Sequence, residues 1–279
     1  MVPWVEPHLA RRRAGASHPV EDFLFTYYSH RPAALRRWHP GHGVVLVDAE
    51  EHRSLKGYVE VAGHQPGVTV ADRFVHKQQP LLSSVHTLLT ATERRQPTLG
   101  CLGLHEWAMV YRLSPDDVRH SAWPLRLGGD GTDAVVESHR IGCSHFDAFR
   151  FFTEAARPRN TLDPGRDDRP AFEQPGCLHA GMDLYKHAFR LSPMVGSDLV
   201  ADCFELAREI RVLDMWASPY DLTGLGYEPV RIETPQGKQE YVAAQREFSE
   251  RGRPLRRRLI EECERLLEVA QETTQGPAT

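Results

Sequence analysis

The sequence predicts an α+β fold that is predominantly helical, with a small antiparallel sheet and a C-terminal hairpin followed by a helix. Several short β-branched runs lie within residues 40–75, and apolar residues recur at helical spacing through most of the remaining chain. A proline–glycine turn signal near residue 236 points to the hairpin. With 279 residues, 41% of them hydrophobic and 26% charged, the chain has the composition of an ordinary globular protein.

Three short segments predict the small sheet. Residues 43–48 form an apolar run, whereas residues 58–61 and 68–70 alternate and are rich in β-branched side chains. Glycine and histidine residues separate the segments, as expected where the chain turns. These features indicate an antiparallel sheet between residues 40 and 75.

Apolar stripes predict the main helices. In chain order their members are Leu81, Leu82, Val85, Leu88 and Leu89; Leu178, Met182, Tyr185 and Phe189; Leu199, Val200, Cys203, Phe204, Ala207 and Ile210; and Leu255, Leu259, Ile260, Cys263, Leu266, Leu267 and Ala270. A shorter helix is predicted to begin at Ser144 as its N-cap, because Asp147 follows three positions later. Phe149, Phe152 and Ala156 would form its buried face.

The hairpin is predicted just before the last helix. Residues 230–234 and 239–242 have the composition of strands, and they flank the sequence Pro-Gln-Gly-Lys at 235–238. Proline and glycine in this order are typical of a tight turn.

The domain organisation is predicted to be simple. Residues 1–18 contain the run Arg11–Arg13 without an apolar segment after it, so they are expected to be a flexible arm and not a secretory signal. Residues 19–272 would form a single globular domain, and residues 273–279 a flexible tail. The sequence gives no indication of the oligomeric state.

Charge and cysteine usage narrow the functional classes. The net charge of −4 argues against a dedicated nucleic-acid coat protein, although an enzyme can still contact nucleic acid through a local patch. Five scattered cysteines without CxxC spacing indicate reduced thiols in a cytoplasmic protein. No stretch of about 18 apolar residues is present, so no membrane association is expected.

His179 and Asp183 are the most informative candidates for chemistry. On a helix they are four residues apart, and Lys186 or His187 continues the same polar face beside the apolar stripe of Tyr185. An imidazole next to a carboxylate suits acid–base catalysis or a divalent metal ion. The alternative is an ordinary helix-surface pair that contributes about 0.5 kcal/mol.

Glu106 interrupts an apolar run between His105 and Trp107. A carboxylate in such a position is either paired or has a raised pKa, as a general acid does. The alternative to catalysis is a structural salt bridge to an arginine. His139 and His145 flank a Gly–Cys turn, and His145 would lie at the start of a helix, where it could help to bind an anion.

A pair of aromatic residues lies near residue 218. Trp216 and Tyr220 stand beside Asp214 and Asp221, and their rings could stack on a planar substrate such as a nucleobase. The alternative is ordinary packing of aromatic side chains beneath a loop.

Four segments resemble a bacterial, largely actinobacterial family labelled 3-methyladenine DNA glycosylase. They are Glu21–Gly41, Ser138–Asn160, Gln174–Leu191 and Asp198–Tyr241, so the resemblance covers most of the chain. It implies hydrolysis of the N-glycosidic bond of a damaged or modified base in DNA. The resemblance carries no motif that assigns catalytic roles to individual residues.

These observations support three hypotheses. In the first, the chain is a DNA glycosylase-like N-glycosidase that needs no cofactor and acts on DNA or another nucleobase-containing substrate. Its expected catalytic residues are Asp183, His179 and Glu106. Its expected substrate-binding residues are Trp107, His139, His145, Tyr185, Lys186, Trp216 and Tyr220.

The second hypothesis is a metal-dependent enzyme, and the third is a non-catalytic binding protein with structural histidines. In the metal-dependent enzyme, zinc or iron would be held by His139, His145, His179 and Asp183, with Glu106 as a further possible ligand.

Overall fold

The structure is a computed structural model that describes residues 1–63, 66–114 and 123–272. The helices are α1 (Val2–Arg13), α2 (Phe23–Thr26), α3 (Pro32–Leu35), α4 (Glu50–Arg53), α5 (Asp72–Lys77), α6 (Gln79–Glu93), α7 (Leu104–Ala108), α8 (Gly128–Ser138), α9 (Phe146–Phe149), α10 (Arg169–Phe172), α11 (Leu178–Arg190), α12 (Ser197–Trp216) and α13 (Pro235–Glu272). The strands are β1 (Leu46–Val47), β2 (Tyr58–Val61) and β3 (Gly67–Val70). The predominantly helical α+β class predicted from the sequence is confirmed.

The small sheet is antiparallel, as predicted, with β3 in the middle. Leu46 pairs with Val68 at one edge, and Tyr58 pairs with Val70 at the other. The side chains of Val68 and Val70 are buried, so one face of β3 packs into the core.

The predicted helix over residues 81–89 is confirmed within α6. Four of the five stripe residues are buried, because residues spaced by three or four positions share one face of a helix, and Leu81 is half-buried. Leu82 and Val85 are almost completely buried, and Leu88 and Leu89 follow on the same face.

The N-terminal segment contains the helix α1, and the flexibility expected for residues 1–18 stays a prediction. In α1 the side chain of Val5 is fully buried, and His8 stacks on Phe25 at 4.5 Å between ring centroids. Arg11 and His8 both contact the carboxylate of Asp22, at 2.6 Å and 2.9 Å. These contacts join α1 to residues 22–25, and the arginine run alone did not predict them.

The predicted C-terminal hairpin is wrong, because residues 235–242 belong to α13. Pro235 begins the helix, where its missing N–H costs no hydrogen bond. The hydroxyl of Thr234 accepts a hydrogen bond from the Gly237 N–H at 3.1 Å, which is an N-cap arrangement. Gly237 lies directly against the carbonyl of Arg231, so its lack of a side chain allows this close approach.

The predicted N-cap at Ser144 is also wrong. His145 occupies the N-cap position of α9, since its carbonyl accepts hydrogen bonds from the N–H groups of Ala148 and Phe149. The predicted burial of Phe149, Phe152 and Ala156 is confirmed.

The chain divides into two compact units. The first comprises Met1–Thr90, Asp183–Glu205 and the chain from Pro254 onward, and it contains the sheet. The second comprises Ala91–Met182 and Leu206–Arg253. The expected flexible tail, 273–279, lies outside the described residues. Among the residues that are described, no helix is long and apolar enough to cross a membrane.

Candidate functional site

The second unit contains a buried cluster of two histidines and one aspartate. His105 lies on α7, His179 on α11 and Asp214 on α12. One nitrogen or oxygen atom of each side chain lies within 4.8 Å of the corresponding atoms of the other two. All three residues are buried, and we call them the His–Asp cluster.

His105 and Asp214 form an ion pair, with His105 Nε2 at 2.9 Å from Asp214 Oδ1. Burial opposes the charge on His105, but the Asp214 carboxylate outweighs this effect and holds the pKa of His105 well above its usual value. Burial likewise opposes ionisation of Asp214, yet the charges of His105 and Arg211 hold the pKa of that carboxyl well below its usual range. Both partners are therefore charged at neutral pH.

Arg211 links this ion pair to Glu106. Its Nη1 donates to Asp214 Oδ2 at 2.6 Å and to Glu106 Oε1 at 3.0 Å, and all three side chains are buried. Glu106 is thus held in a salt bridge with an arginine, which is the structural alternative considered for it from the sequence.

Two further side chains, Cys101 and His145, border the His–Asp cluster. The Sγ of Cys101 lies 3.7 Å from His105 Nδ1. The ring of His145 lies 5.3 Å from that of His179, and His145 Nε2 is 3.4 Å from Glu173 Oε1. His145 therefore borders the cluster through its ring and contacts a buried carboxylate on its other side.

Asp183 lies in the first unit and has other partners. Tyr28 donates its hydroxyl to Asp183 Oδ1 at 2.9 Å, and Lys186 Nζ lies 2.9 Å from Asp183 Oδ2. As predicted, His179 and Asp183 share one helix, α11, on which Tyr185 is completely buried. His179 faces the rings of His105 and His145, whereas Asp183 joins an ion pair with Lys186.

The metal ligands expected from the sequence are only partly brought together. Among the described residues, the one group of three suited to a metal ion contains His179 together with His105 and Asp214. His139 lies at the end of α8, where its Nδ1 is 2.6 Å from the carbonyl oxygen of Val135.

A cleft of about 360 Å³ opens on the surface of the second unit. Three aromatic side chains line it: Trp216, Tyr220 and Tyr227. Four charged side chains line it as well: Arg126, Asp221, Arg231 and Glu233. We call this the aromatic cleft. Trp216 and Tyr220 are the two expected substrate-binding residues that lie in it.

Backbone contacts fix the shape of the aromatic cleft. The N–H of Arg126 donates to the carbonyl of Pro219 at 2.9 Å, and the N–H of Asp221 donates to that of Pro124 at 2.8 Å. The N–H of Val230 donates to the carbonyl of Trp216, also at 2.8 Å. The segments on either side of the cleft are thus tied to the end of α12.

The two carboxylates of the aromatic cleft are ionised at neutral pH. Hydrogen bonds from the hydroxyl and N–H of Thr223 lower the pKa of Asp221. Burial opposes ionisation of Glu233, but hydrogen bonds from Arg126 prevail and lower its pKa. The guanidinium of Arg126 also lies over the ring of Trp107, at 5.1 Å from its centroid. Trp107 therefore contacts the cleft residue Arg126, and its indole N–H donates to the carbonyl oxygen of Ala217.

The sequence did not single out three charged residues of the aromatic cleft, Arg126, Arg231 and Glu233. It also did not assign two members of the His–Asp cluster, His105 and Asp214, to a site. The Asp221-Leu-Thr223 sequence is the local signal that could have been used, because an aspartate commonly accepts a hydrogen bond from the N–H two residues later. Arg126 has no comparable signal, since its partner Glu233 is far away along the chain.

No protein-family model matches the chain, and neither curated proteins nor solved structures give a match.

Proposed function

We propose that this protein is a hydrolase of N-glycosidic bonds that binds a damaged or modified nucleobase in the aromatic cleft. The supporting observation is that aromatic rings and two ionised carboxylates line one cleft of about 360 Å³. This volume lies in the range of about 300–1,000 Å³ that is typical of small-molecule sites.

The aromatic residues supply the binding surface for a base. The rings of Trp216 and Tyr227 lie 6.3 Å apart between centroids, and both residues are partly accessible. Stacking of a base on an aromatic side chain contributes about 1–3 kcal/mol. An enzyme of this type acts on a base that has left the double-helical stack, and such a base presents both faces for stacking.

The charges in the cleft suit an N-alkylated purine. Such a base is positively charged while it is attached to the sugar, so it leaves as a neutral base and needs no proton donor. The bond between C1′ and the base nitrogen breaks, and its electron pair stays with the base. The sugar then carries positive charge, which a nearby carboxylate stabilises. Water adds to C1′ and releases a proton to the carboxylate or to solvent.

Asp221 is the carboxylate that we assign to this role. Glu233 is held by two hydrogen bonds from Arg126, whereas the Asp221 side chain, among the described residues, accepts hydrogen bonds from the neighbouring Thr223 alone, on its Oδ1 atom. The residues expected from the sequence have other partners: Glu106 is bound to Arg211, and Asp183 to Tyr28 and Lys186. Asp221 therefore replaces them in the proposed mechanism.

DNA treated to contain N-alkylated purines provides the test. We expect the purified protein to release free alkylated base, detected by chromatography and mass spectrometry, and to leave an equal number of abasic sites in the DNA. Unmodified DNA serves as the control and should yield neither product. If the protein released no base from alkylated DNA, alkylated single strands or alkylated nucleosides, the proposal would be rejected.

A further inference from the structure

We propose that His105, His179 and Asp214 bind a divalent transition-metal ion, with zinc and iron(II) as the two candidates. Two imidazoles and one carboxylate are donors that both ions accept in proteins. The inference concerns the His–Asp cluster and does not depend on the glycosidase proposal.

The geometry of the donor atoms is close to that of a metal site. Ligand atoms that lie about 2.0–2.2 Å from a zinc ion are at most about 4.4 Å from one another. The donor atoms of the cluster lie within 4.8 Å of one another, and His105 Nε2 and Asp214 Oδ1 are only 2.9 Å apart. These separations are close to those that three ligands of one ion require.

The buried polar atoms of the cluster give a second, independent observation. His105 Nε2 and Asp214 Oδ1 approach each other, but their contact lacks the alignment of a hydrogen bond. Neither atom has a hydrogen-bond partner among the described residues, and both are inaccessible to solvent. Buried polar atoms are nearly always hydrogen-bonded. An ion that accepts a lone pair from each atom would satisfy both.

The groups around the cluster leave the right atoms available for a metal ion. Arg211 occupies Asp214 Oδ2, so Oδ1 is the oxygen that faces His105. Cys101 lies beside His105 Nδ1, and a proton kept on that nitrogen leaves Nε2 as the ligand atom once metal binding displaces the Nε2 proton. Glu106 balances the positive charge of Arg211, so the charge of Asp214 remains for the metal ion.

Two of the three helices that carry these ligands are connected to the aromatic cleft: α12 carries the cleft residue Trp216, and α7 carries Trp107, which contacts the cleft residue Arg126. His105 is two residues before Trp107, over which Arg126 lies, and Asp214 is two residues before Trp216. A metal ion at the cluster would therefore tie α7 to α12 and hold the wall of the cleft in place. Because the ion would bind the folded chain, it should also stabilise the protein.

The test is metal binding by the full chain without an affinity tag. Elemental analysis of the purified protein distinguishes zinc from iron, with about one ion per chain expected. After removal of metal with a chelator, added Co²⁺ should produce the visible absorption of a coordinated ion. We expect H179Q and D214N to bind the metal ion at least about a hundredfold more weakly. Loss of a residue that only hydrogen-bonds to a metal ligand already lowers metal affinity by about 10–100-fold.

H187Q provides the matched control, because His187 is another buried histidine on α11 that lies outside the cluster. It should bind metal as the wild type does. The absence of a bound ion in the purified wild type, together with no absorption change on addition of Co²⁺, would overturn the proposal even if the variants failed to fold. Equal loss of binding in H187Q and H179Q would overturn it as well.

Discussion

Arg126 donates two parallel hydrogen bonds to Glu233, from Nη1 to Oε1 at 2.7 Å and from Nη2 to Oε2 at 2.6 Å. The pair joins the segment before α8 to the segment before α13, and it lies at the wall of the aromatic cleft. Paired hydrogen bonds between a guanidinium and a carboxylate fix both distance and orientation. Arg126 and Glu233 are therefore expected to determine the shape of the cleft as well as its charge.

We predict a coupling energy of about 1–3 kcal/mol between Arg126 and Glu233, because their side chains are only 9% and 22% exposed. Urea denaturation of R126M, E233Q and the double variant measures this energy. The exposed pair Arg112–Glu137 offers a control for which the coupling should be much weaker, because solvent screens exposed charges. Equal coupling in the two pairs would contradict the structural role of the buried one.

Replacement of Trp216 by alanine should weaken binding of an N-alkylated base by roughly 5- to 150-fold, which corresponds to the loss of about 1–3 kcal/mol of stacking. Fluorescence or calorimetric titration with the free base measures the effect. W38A is a suitable control, because Trp38 is half exposed and does not line the aromatic cleft. Unchanged affinity in W216A would remove Trp216 from the binding surface.

The variant D183N should lower the free energy of unfolding by about 1–3 kcal/mol, because it removes the charge from a buried carboxylate bonded to Tyr28 and Lys186. Base release should be unaffected well below the melting temperature. This expectation reverses the one drawn from the sequence, which placed Asp183 in catalysis. D202N is the control, because Asp202 forms an exposed pair with Arg258 and its replacement should change stability by at most about 0.5 kcal/mol. Loss of base release by folded D183N would restore the original assignment.

Stability should fall as the pH is lowered from about 6.5 to about 4, partly because of His30. Burial, and then the charges of Arg190 and Lys186, lower the pKa of His30 to about 4. Between these pH values the unfolded chain binds a proton at His30 that the folded chain does not, so protonation favours unfolding. H30F keeps an aromatic ring against Phe189 and should show a smaller loss of stability between pH 7 and pH 4.5. An identical loss in both proteins would show that His30 does not contribute.

Local features of the fold were predictable, whereas the sites were predictable only in part. The stripe of Leu82, Val85 and Leu89 predicted α6 correctly, because a helix that is buried on one face has apolar residues at helical spacing in its sequence. The hairpin prediction failed because proline suits the first turn of a helix as well as a turn between strands, and the packing of Gly237 against Arg231 is not visible in the sequence.

The cluster and the cleft depend on residues that are distant along the chain. Trp216 and Tyr220 were identified because aromatic residues near carboxylates stand out locally. Asp214 could be paired with His105 only after the helices were placed in space. The Arg126–Glu233 pair could not be predicted either, because the two residues are far apart along the chain.

The most direct measurement for the proposed activity is the single-turnover rate of release of an N-alkylated purine from DNA by D221N. The isosteric change keeps the Oδ1 atom that accepts hydrogen bonds from Thr223, so the fold of the cleft should persist. We predict a rate at least about a hundredfold below that of the wild type, because charge stabilisation of the sugar is lost. D130N, which alters an exposed aspartate of α8, should retain the wild-type rate. A wild-type rate in folded D221N would contradict the central role of Asp221 in the aromatic cleft.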